Sequence, residues 1–378
     1  MGKQCRFMEG LVVFSNIYQG KKVLVTGHTG FKGSWLSIWL LRLGAKVIGI
    51  SKDIPTDPSI FDALQLKDKI KHYQEDIRDL AKMREIITHE QPDFLFHLAA
   101  QPIVSTSYTD PIETITSNVI GTANILEALK TSNHPCTAIL ITSDKAYDNV
   151  EQVWGYKEDD KMGGKDIYSG SKGAAELIIK SYYHSFFKAP DCNIKLAIGR
   201  AGNVIGGGDW AQDRIVVDCM RAWSRNEKVE IRSPNATRPW QHVLEPLSGY
   251  LYLGSELYTN SAFHGEAFNF GPRAEQNHTV VQLLKDLSVH WNITDTNKTF
   301  TITDNIPFHE AGLLKLNCDK ALFYLKWQAN LHYNDTIRLT GEWYYSFYKT
   351  DTNMWNKTQE QIEVYEAMAK EKELQWTV

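Results

Sequence analysis

A tyrosine and a lysine four residues apart, Tyr168 and Lys172, are the side chains of this sequence best suited to proton transfer. Residues at this spacing share one face of a helix, and an ammonium beside a phenol stabilises the phenolate. The pair therefore predicts a base with a lowered tyrosine pKa, as hydride transfer needs. Tyr345 and Lys349 repeat the spacing, but their context predicts only a half-exposed helix face.

Three polar residues, Ser143, Asp144 and Lys145, stand at the end of a predicted strand that precedes the first Tyr–Lys pair. Ligands of open α/β sheets bind at the carboxyl ends of the strands. We therefore expect these residues to lie beside Tyr168, and we predict that the first pair, not the second, is catalytic.

A glycine loop follows the first predicted strand and holds Gly27, Gly30 and Gly33. Glycines at such positions permit a tight turn, close approach of backbone N–H groups to a pyrophosphate, and close contact between helix and strand. The next helix directs its positive N-terminal end at the phosphates. The loop predicts a dinucleotide site, although a glycine triplet alone also fits an ordinary turn. The other loop residues predicted to contact the cofactor are Thr29, Phe31 and Lys32.

The end of the second predicted strand carries both Lys52 and Asp53. An acidic residue there binds the ribose 2′-OH of NAD, whereas a basic one tolerates the 2′-phosphate of NADP. Asp53 lies twenty positions after the last loop glycine and favours NAD; Lys52 leaves NADP open, and neither residue has to touch the cofactor. In the next loop, Asp76 and Ile77 are predicted to reach the adenine, unless Asp76 caps the following helix.

Nearly continuous apolar runs alternate with helical patterns in the first half of the chain. Such runs are typical of strands covered on both faces, and repeated β-α-β order predicts a parallel sheet. We predict an α/β fold, a doubly wound parallel sheet (Rossmann-like) with a smaller C-terminal substrate-binding lobe. The predicted strands are 21–27, 45–51, 93–99, 137–143 and 194–200, and the predicted helices between them are 34–43, 80–89, 111–130 and 167–187.

The alternation breaks down after about Gly206, where we expect helices 214–225 and 279–290 with no strands between them. A short strand near 267–270 is predicted to return to the main sheet. The predicted domains are a leader 1–17, a dinucleotide-binding domain 18–205, a substrate-binding lobe 206–340 and a C-terminal helical extension 341–378.

Composition excludes several classes of protein. The 378 residues include 41 Lys+Arg and 45 Asp+Glu, and the net charge of −4 argues against a general nucleic-acid or acidic-membrane binder. Five widely spaced cysteines without a CxxC pair argue against a disulfide framework or zinc site and favour the cytoplasm. No apolar run is long enough to span a membrane. His97 and His242 lack partners at metal spacing, so we predict packed histidines and no metal.

Taken together, these features resemble the extended short-chain dehydrogenase/reductase superfamily from about Tyr18 to Leu331. Longer strings are similar to the CDP-glucose branch of its nucleotide-sugar 4,6-dehydratases: VTGHTGFKGSWL, HLAAQPIV, TSDKAYDN, WGYKEDD, IYSGSKGAAE, GRAGNVIGGGDW and RPWQHVLEPL. The resemblance implies NAD as cofactor and a lyase reaction in deoxysugar biosynthesis. CDP-glucose would be oxidised at C4, lose water across C5–C6 and regain the hydride at C6.

The resemblance also implies roles for single residues. Tyr168 would take the 4-OH proton, Ser143 would bind the C4 oxygen, and Lys172 would bind the nicotinamide ribose. Asp144 would protonate the departing 6-OH. Lys145 would remove the C5 proton or only orient the substrate, and a lysine here departs from the Asp-Glu pair of the dTDP-glucose relatives.

Four residues match positions that hold the nucleotide diphosphate in relatives: Asn203, Arg214, Arg238 and Asn269. Each arginine also fits an exposed surface charge. Relatives pair through the helices 111–130 and 167–187, which implies a homodimer or a tetramer. Three alternatives stay open: a nucleotide-sugar 4-epimerase, against which Asp144 and Lys145 argue, a non-catalytic nicotinamide-dinucleotide-binding protein, and an NADP-dependent reductase.

Overall fold

The computed structural model describes residues 12–377 except 274, 294 and 304–312. Most of the predicted leader, with Cys5, therefore lies outside the described residues. Its last part does not: Val13 and Phe14 are buried, and Phe14 stacks on Trp376 with ring centroids 5.1 Å apart. These two side chains belong to the core.

Thirteen strands are described. They are β1 (Lys22–Thr26), β2 (Lys46–Ser51), β3 (Lys71–Gln74), β4 (Phe94–His97), β5 (Cys136–Ile141), β6 (Ile194–Arg200), β7 (Val204–Ile205), β8 (Val229–Ile231), β9 (Thr237–Arg238), β10 (Gln241–His242), β11 (Ala267–Asn269), β12 (His278–Thr279) and β13 (Phe300–Ile302).

Twelve α-helices are described as well. They are α1 (Phe31–Arg42), α2 (Ile60–Ala63), α3 (Leu80–Glu90), α4 (Val104–Thr109), α5 (Pro111–Ile115), α6 (Gly121–Lys130), α7 (Ile167–Tyr182), α8 (Ile215–Ser224), α9 (Leu244–Thr259), α10 (Val280–His290), α11 (Tyr333–Lys349) and α12 (Met354–Glu371). A π-helical turn at Thr116–Ile120 joins α5 to α6, and another at Tyr183–Phe187 follows α7. None of the described helices is both long and apolar enough to cross a bilayer.

The central sheet has seven strands in the order β11-β6-β5-β4-β1-β2-β3, and every pairing in it is parallel. The chain moves outward from β1 to β3 and then crosses back to β4, so a topological switch point lies between β1 and β4. The predicted doubly wound parallel sheet is confirmed. The strand β3 was not expected from the sequence, because it lies at the sheet edge and its KHYQ segment is half exposed instead of apolar.

The second half of the chain departs from the prediction of helices without strands. Three two-stranded pairs, β7 with β10, β9 with β12 and β8 with β13, lie among its helices. The strand expected near 267–270 is present as β11, and it pairs with β6 in the main sheet as predicted. These pairs are only two or three residues long, too short for a period-2 pattern to be visible in the sequence.

The helix α9 was also missed, and it covers one face of the sheet at β5 and β6. Nearly all of its sixteen residues are buried, so its apolar residues do not repeat on one face and give no helical period. The other face of the sheet packs against α3, α6 and α7 through side chains such as Ile86, Leu126 and Ile179. The catalytic candidates at the strand ends therefore rest on a sheet that is covered on both sides.

The C-terminal helices pack against the same body as the sheet. The indole Nε1 of Trp39 in α1 donates a hydrogen bond of 2.8 Å to Glu366 in α12, and Arg42 forms ion pairs with Glu363 and Glu366. These contacts fix α12 on the outer face of α1, the helix that begins at the glycine loop.

Candidate active site

The glycine loop is packed as closely as its sequence predicts. Gly27 has φ +74°, and a Cβ there would fall 2.8 Å from the backbone nitrogen of Ala99. A Cβ on Gly33 would fall 2.1 Å from the carbonyl oxygen of Gly27. Gly30 is the N-cap of α1. Gly27 and Gly33 leave no space for a side chain, and the resulting cradle of backbone N–H groups at a helix N-terminus fits the pyrophosphate of a dinucleotide.

His28, which the sequence analysis did not single out, fixes the loop to the neighbouring strands. Its Nε2 lies 2.7 Å from Nδ1 of His72 and its Nδ1 lies 3.1 Å from Oγ of Ser51. Burial lowers the pKa of His28 to about 4, so the imidazole is neutral at neutral pH. In the sequence, His28 stands in the turn string GHTG and gives no sign of these hydrogen bonds, because its partners lie 23 and 44 positions away.

The end of β2 carries a cluster of charged side chains. Lys52 forms an ion pair of 2.7 Å with Glu113 of α5, and Arg78 forms ion pairs with Glu113 and, at 2.6 Å, with Asp76. The predicted alternative that Asp76 caps the following helix is wrong, because the carboxylate of Asp79 accepts the capping hydrogen bond from the Lys82 backbone N–H.

Three further residues that were predicted to contact the cofactor are placed as follows. The hydroxyl of Thr29 donates a 2.7 Å hydrogen bond to the carbonyl of Asp53, which brings the end of β2 beside the glycine loop. Ile77 is buried against α6, where a Cβ on Gly121 would lie 2.4 Å from its Cδ1. Phe31 lies in the first turn of α1, close to Gly206.

The polar end of β5 meets the first Tyr–Lys pair. The hydroxyl of Ser143 donates a 2.9 Å hydrogen bond to Oδ1 of Asp144 and accepts one from the Lys145 backbone N–H. On α7, the Lys172 ammonium lies 5.7 Å from the centre of the Tyr168 ring. The Tyr168 phenol has a hydrogen bond with Ser143 and is influenced by the charge of Asp144. A hydroxyl, a carboxylate, a phenol and the ammonium of Lys172 therefore meet at the carboxyl end of the sheet, and Lys145 is the next residue after Asp144 in the chain.

The acidity of the phenol differs from the prediction of a lowered pKa. Burial and, to a smaller degree, the charge of Asp144 raise the pKa of Tyr168 to about 12, although Arg214 and a hydrogen bond with Ser143 oppose that rise. Burial also lowers the pKa of Lys172 to about 8, with repulsion from Lys32 adding to the effect. Both members of the pair are thus shifted toward their neutral forms by the same low-dielectric surroundings.

Lys32 connects the glycine loop with the polar end of β5. Burial and repulsion from Arg214 lower its pKa to about 8, while attraction by Asp144 and Asp209 opposes the change. Lys32 therefore interacts electrostatically with two of the catalytic candidates, Asp144 and Lys172.

A buried ion pair between β6 and α7 stabilises this arrangement. Both Arg200 of β6 and Glu176 of α7 are 0% exposed, and the guanidinium donates to the two carboxylate oxygens at 2.7 and 2.5 Å. Glu176 also accepts a 2.5 Å hydrogen bond from Thr142, and Arg200 donates to the hydroxyl of Tyr147 at 2.6 Å. The pair ties α7 to the residue that precedes Ser143, and sequence inspection missed it because its members lie on different elements.

The four predicted substrate residues have different surroundings. Asn203 has φ +51° and lines a pocket with Asp144. Arg214 forms a 2.5 Å ion pair with Asp209 and interacts electrostatically with Tyr168, and Arg238 lies half-buried in β9. Asn269 is completely buried.

The side-chain amide of Asn269 has a structural role. It donates to the carbonyls of Tyr156 and Asn317 at 2.9 and 3.0 Å and accepts a 2.9 Å hydrogen bond from the hydroxyl of Tyr147. Both amide hydrogens are therefore used inside the protein. This placement gives no support to the prediction that Asn269 binds the diphosphate.

The second Tyr–Lys pair lies apart from this site, whereas His97 lines a small pocket together with Lys172. Lys349 of the second Tyr–Lys pair lies over the ring of Trp291, 5.9 Å from its centre. His97 is buried with both ring nitrogens bonded, to Thr26 at 2.7 Å and Thr122 at 3.0 Å, and His242 is buried. Among the described residues no group of three or more His, Cys, Asp or Glu side chains fits a metal ion.

The chain is similar to known proteins over most of its length. Residues 24–340 match the model of the family described as GDP-mannose 4,6 dehydratase. The chain is 46% identical to a CDP-glucose 4,6-dehydratase from Salmonella typhimurium over 336 residues, which are 88% of this chain and 93% of the relative.

Solved structures agree on the fold. A UDP-glucose 4-epimerase from Thermotoga maritima with UDP-glucose superposes with a TM-score of 0.75 at 22% identity, covering 86% of this chain and 99% of that one. A dTDP-glucose 4,6-dehydratase from Bacillus anthracis in complex with NAD gives a TM-score of 0.71 at 18% identity, covering 87% and 97%.

Proposed function

The chain belongs to the GDP-mannose 4,6 dehydratase family, and from that membership we propose that it is a nucleotide-sugar 4,6-dehydratase that converts CDP-glucose to CDP-4-keto-6-deoxyglucose with NAD. The observation that carries the proposal is the packing of the segment with Ser143, Asp144 and Lys145 against α7, where Ser143 has a hydrogen bond with Tyr168 and Lys172 lies beside the Tyr168 ring. The 46% identity to a CDP-glucose 4,6-dehydratase supports CDP-glucose as the substrate.

The proposed roles of the residues of this chain are as follows. Bound NAD would take the hydride from C4 of the sugar and return it at C6. The glycine loop at the N-terminus of α1 would hold the pyrophosphate of NAD, and Lys172 its nicotinamide ribose. Tyr168 accepts the proton of the 4-OH, and Ser143 holds the C4 oxygen. Arg214, which lowers the pKa of the phenol against the effect of burial, favours the phenolate that the base requires.

Elimination needs one acid and one base in addition. The 4-keto group acidifies the C5 hydrogen, and Asp144, a buried carboxyl beside Ser143, gives a proton to the departing 6-OH. Lys145, which follows it in the chain, is the C5 base. The leaving oxygen departs as water, and the redox change at C4 is reversed at C6, so no net oxidant is consumed.

Replacing Lys145 by alanine is expected to stop the exchange of the C5 hydrogen with solvent, because no amine would remain to remove that proton. The exchange is measured by mass spectrometry of the sugar nucleotide after reaction in deuterium oxide. Lys161→Ala removes a lysine that is 82% exposed and paired with Asp148, and it should exchange normally. Exchange at the wild-type rate in Lys145→Ala would rule out Lys145 as the base.

The diphosphate of the substrate is proposed to bind to Asn203, Arg214 and Arg238. The planar fork of an arginine donates two parallel hydrogen bonds to such a group. Asn203 lines the pocket beside Asp144, and the electrostatic contact of Arg214 with Tyr168 would put the diphosphate near the reacting sugar. Asn269 is not included in this proposal, because its side-chain amide is engaged in buried hydrogen bonds with Tyr147 and Tyr156.

A nucleotide-sugar 4-epimerase remains the second candidate, since a UDP-glucose 4-epimerase shares the fold. We expect CDP-glucose, among the CDP-, dTDP-, GDP- and UDP-sugars, to give the 4-keto-6-deoxy product, which is detected by its ultraviolet absorbance in alkali. Conversion of a sugar to its C4 epimer without that product would favour the epimerase. A lasting change in nicotinamide absorbance would indicate a reductase instead.

We also propose that the protein is a cytoplasmic homodimer or tetramer. Large apolar side chains are exposed along the segments that relatives use for pairing, from α5 to α6 and from α7 to the π-helical turn after it: Ile112, Ile115, Ile120, Leu177 and Phe186. Pairing would remove this surface from water. Free thiols at Cys136, Cys192, Cys219 and Cys318 are typical of a reducing compartment. Sedimentation of the protein as a 43.1 kDa monomer would contradict the oligomer.

A further inference from the structure

The end of β2 is where this chain meets the adenosine side of a dinucleotide. Asp53 follows β2, and the hydrogen bond from Thr29 to its carbonyl holds it against the glycine loop. In folds of this type, the residues after the second strand lie at the ribose 2′ position. Lys52, immediately before Asp53, would be suited to a 2′-phosphate if its ammonium were available.

Its ammonium is engaged by a residue from a distant segment. Glu113, in the short helix α5, forms an ion pair with Lys52, in which one carboxylate oxygen lies 2.7 Å from the ammonium nitrogen. The other oxygen is bound by Arg78, whose guanidinium also pairs with Asp76 at 2.6 Å. Both cations near the ribose position are therefore held by carboxylates.

The carboxylate of Glu113 is itself fixed in place. Ser117, one helical turn later, donates a 3.1 Å hydrogen bond to it, and Asp110 caps the start of α5 by accepting from the Glu113 backbone N–H at 2.9 Å. Its side chain is 20% exposed, compared with 46% for Lys52 and 35% for Arg78. A partly buried anion between two more exposed cations is well placed to hold them away from an incoming phosphate.

The formal charges of the cluster explain the expected selectivity. Lys52 and Arg78 carry two positive charges, and Asp53, Asp76 and Glu113 carry three negative ones, so the cluster has a net charge of −1. A phosphate monoester adds about 1.5 to 2 negative charges at neutral pH. NADP would bring this charge to an already negative cluster, whereas NAD brings only a hydroxyl group.

We propose that Glu113 sets the preference of this protein for NAD over NADP, by neutralising Lys52 and Arg78. The inference rests on the dinucleotide site proposed above but not on the dehydration chemistry. Glu113→Gln keeps the shape of the side chain and the hydrogen bond with Ser117, removes one negative charge, and leaves Lys52 free to bind a 2′-phosphate.

The experiment is a titration of the purified protein with NAD⁺ and with NADP⁺ by isothermal calorimetry. For Glu113→Gln we expect the Kd of NADP⁺ to fall about fivefold, the upper size of one partly exposed charge interaction, while the Kd of NAD⁺ stays within about twofold. Adding Lys52→Ala to this variant should reverse the gain for NADP⁺.

Glu127→Gln is the matched control. Glu127 is also 20% exposed and also binds two cations, Arg84 at 3.0 Å and Lys130 at 2.8 Å, but in α6. It should leave both dissociation constants unchanged.

Three results would overturn the proposal: an unchanged Kd of NADP⁺ in a Glu113→Gln protein that still binds NAD⁺, an equal gain in Glu127→Gln, or a wild-type preference for NADP⁺. Loss of NAD⁺ binding in Glu113→Gln, with a normal thermal unfolding curve, would also overturn it, because Glu113 would then support the site and not select between cofactors. The dehydratase proposal is tested separately, by the nucleotide-sugar panel.

Discussion

Tyr168→Phe is expected to lower the kcat for dehydration of CDP-glucose by about 10²–10⁴-fold, the usual contribution of a positioned acid–base group. In the proposed mechanism the hydroxyl accepts the 4-OH proton, and it has a hydrogen bond with Ser143 at the end of β5. The ring is 7% exposed and phenylalanine fills the same space, so the fold should be kept. The rate is measured from the alkaline absorbance of the 4-keto product.

Tyr345→Phe provides the matched control for this variant. It alters the tyrosine of the second Tyr–Lys pair, at the same spacing from Lys349, but in α11 beside Trp291. We expect its kcat to be that of the wild type. A Tyr168→Phe protein with unchanged thermal unfolding and a kcat within twofold of the wild type would contradict the assignment of Tyr168 as the base.

The largest effect on stability is expected for Arg200→Met, which should reduce the free energy of unfolding by about 3–5 kcal/mol, the cost of leaving a buried charge unpaired. Glu176 would keep its buried carboxylate with only the hydroxyl of Thr142 as a side-chain donor. Urea denaturation followed by tryptophan fluorescence gives the free energy.

Arg84→Met is the matched control for a lost ion pair. Arg84 pairs with Glu127 at 3.0 Å, but its side chain is 44% exposed. Water replaces the partner of an exposed charge, so the loss should be about 1 kcal/mol or less. Equal losses in the two variants would show that burial of the Arg200–Glu176 pair does not determine its contribution.

The same pair has a consequence for catalysis. Tyr168, Lys172 and Glu176 follow one another at intervals of four residues, so all three lie on one face of α7. Arg200 holds the last of them against Thr142, which directly precedes Ser143. The hydrogen bond from Thr142 to Glu176 therefore joins the helix of the proposed base directly to the polar end of β5, and Arg200 neutralises the buried carboxylate that makes this contact.

The fold class could be predicted from the sequence because its signals are local. Apolar strands covered on both faces read as continuous runs, and the glycines of the loop stand where the chain must turn. The sequence patterns did not predict β3 or α9, because neither element shows the hydrophobic period of its class. The strand β3 is a half-exposed edge strand, and the helix α9 is buried on nearly all sides. The Tyr–Lys pair was visible as a spacing within one helix.

The sequence by itself thus determined the parallel sheet, the glycine loop and the set of residues able to do the chemistry. Only the tertiary structure decided which of these residues are in contact, and which charges and how much burial surround each of them. Lys52 and Glu113 are 61 positions apart in the chain but 2.7 Å apart in space, and Arg200 meets Glu176 from another element. Electrostatic interaction depends on distance in space and on burial. Both quantities are set by the packing of elements, and neither is contained in the order of residues within one of them.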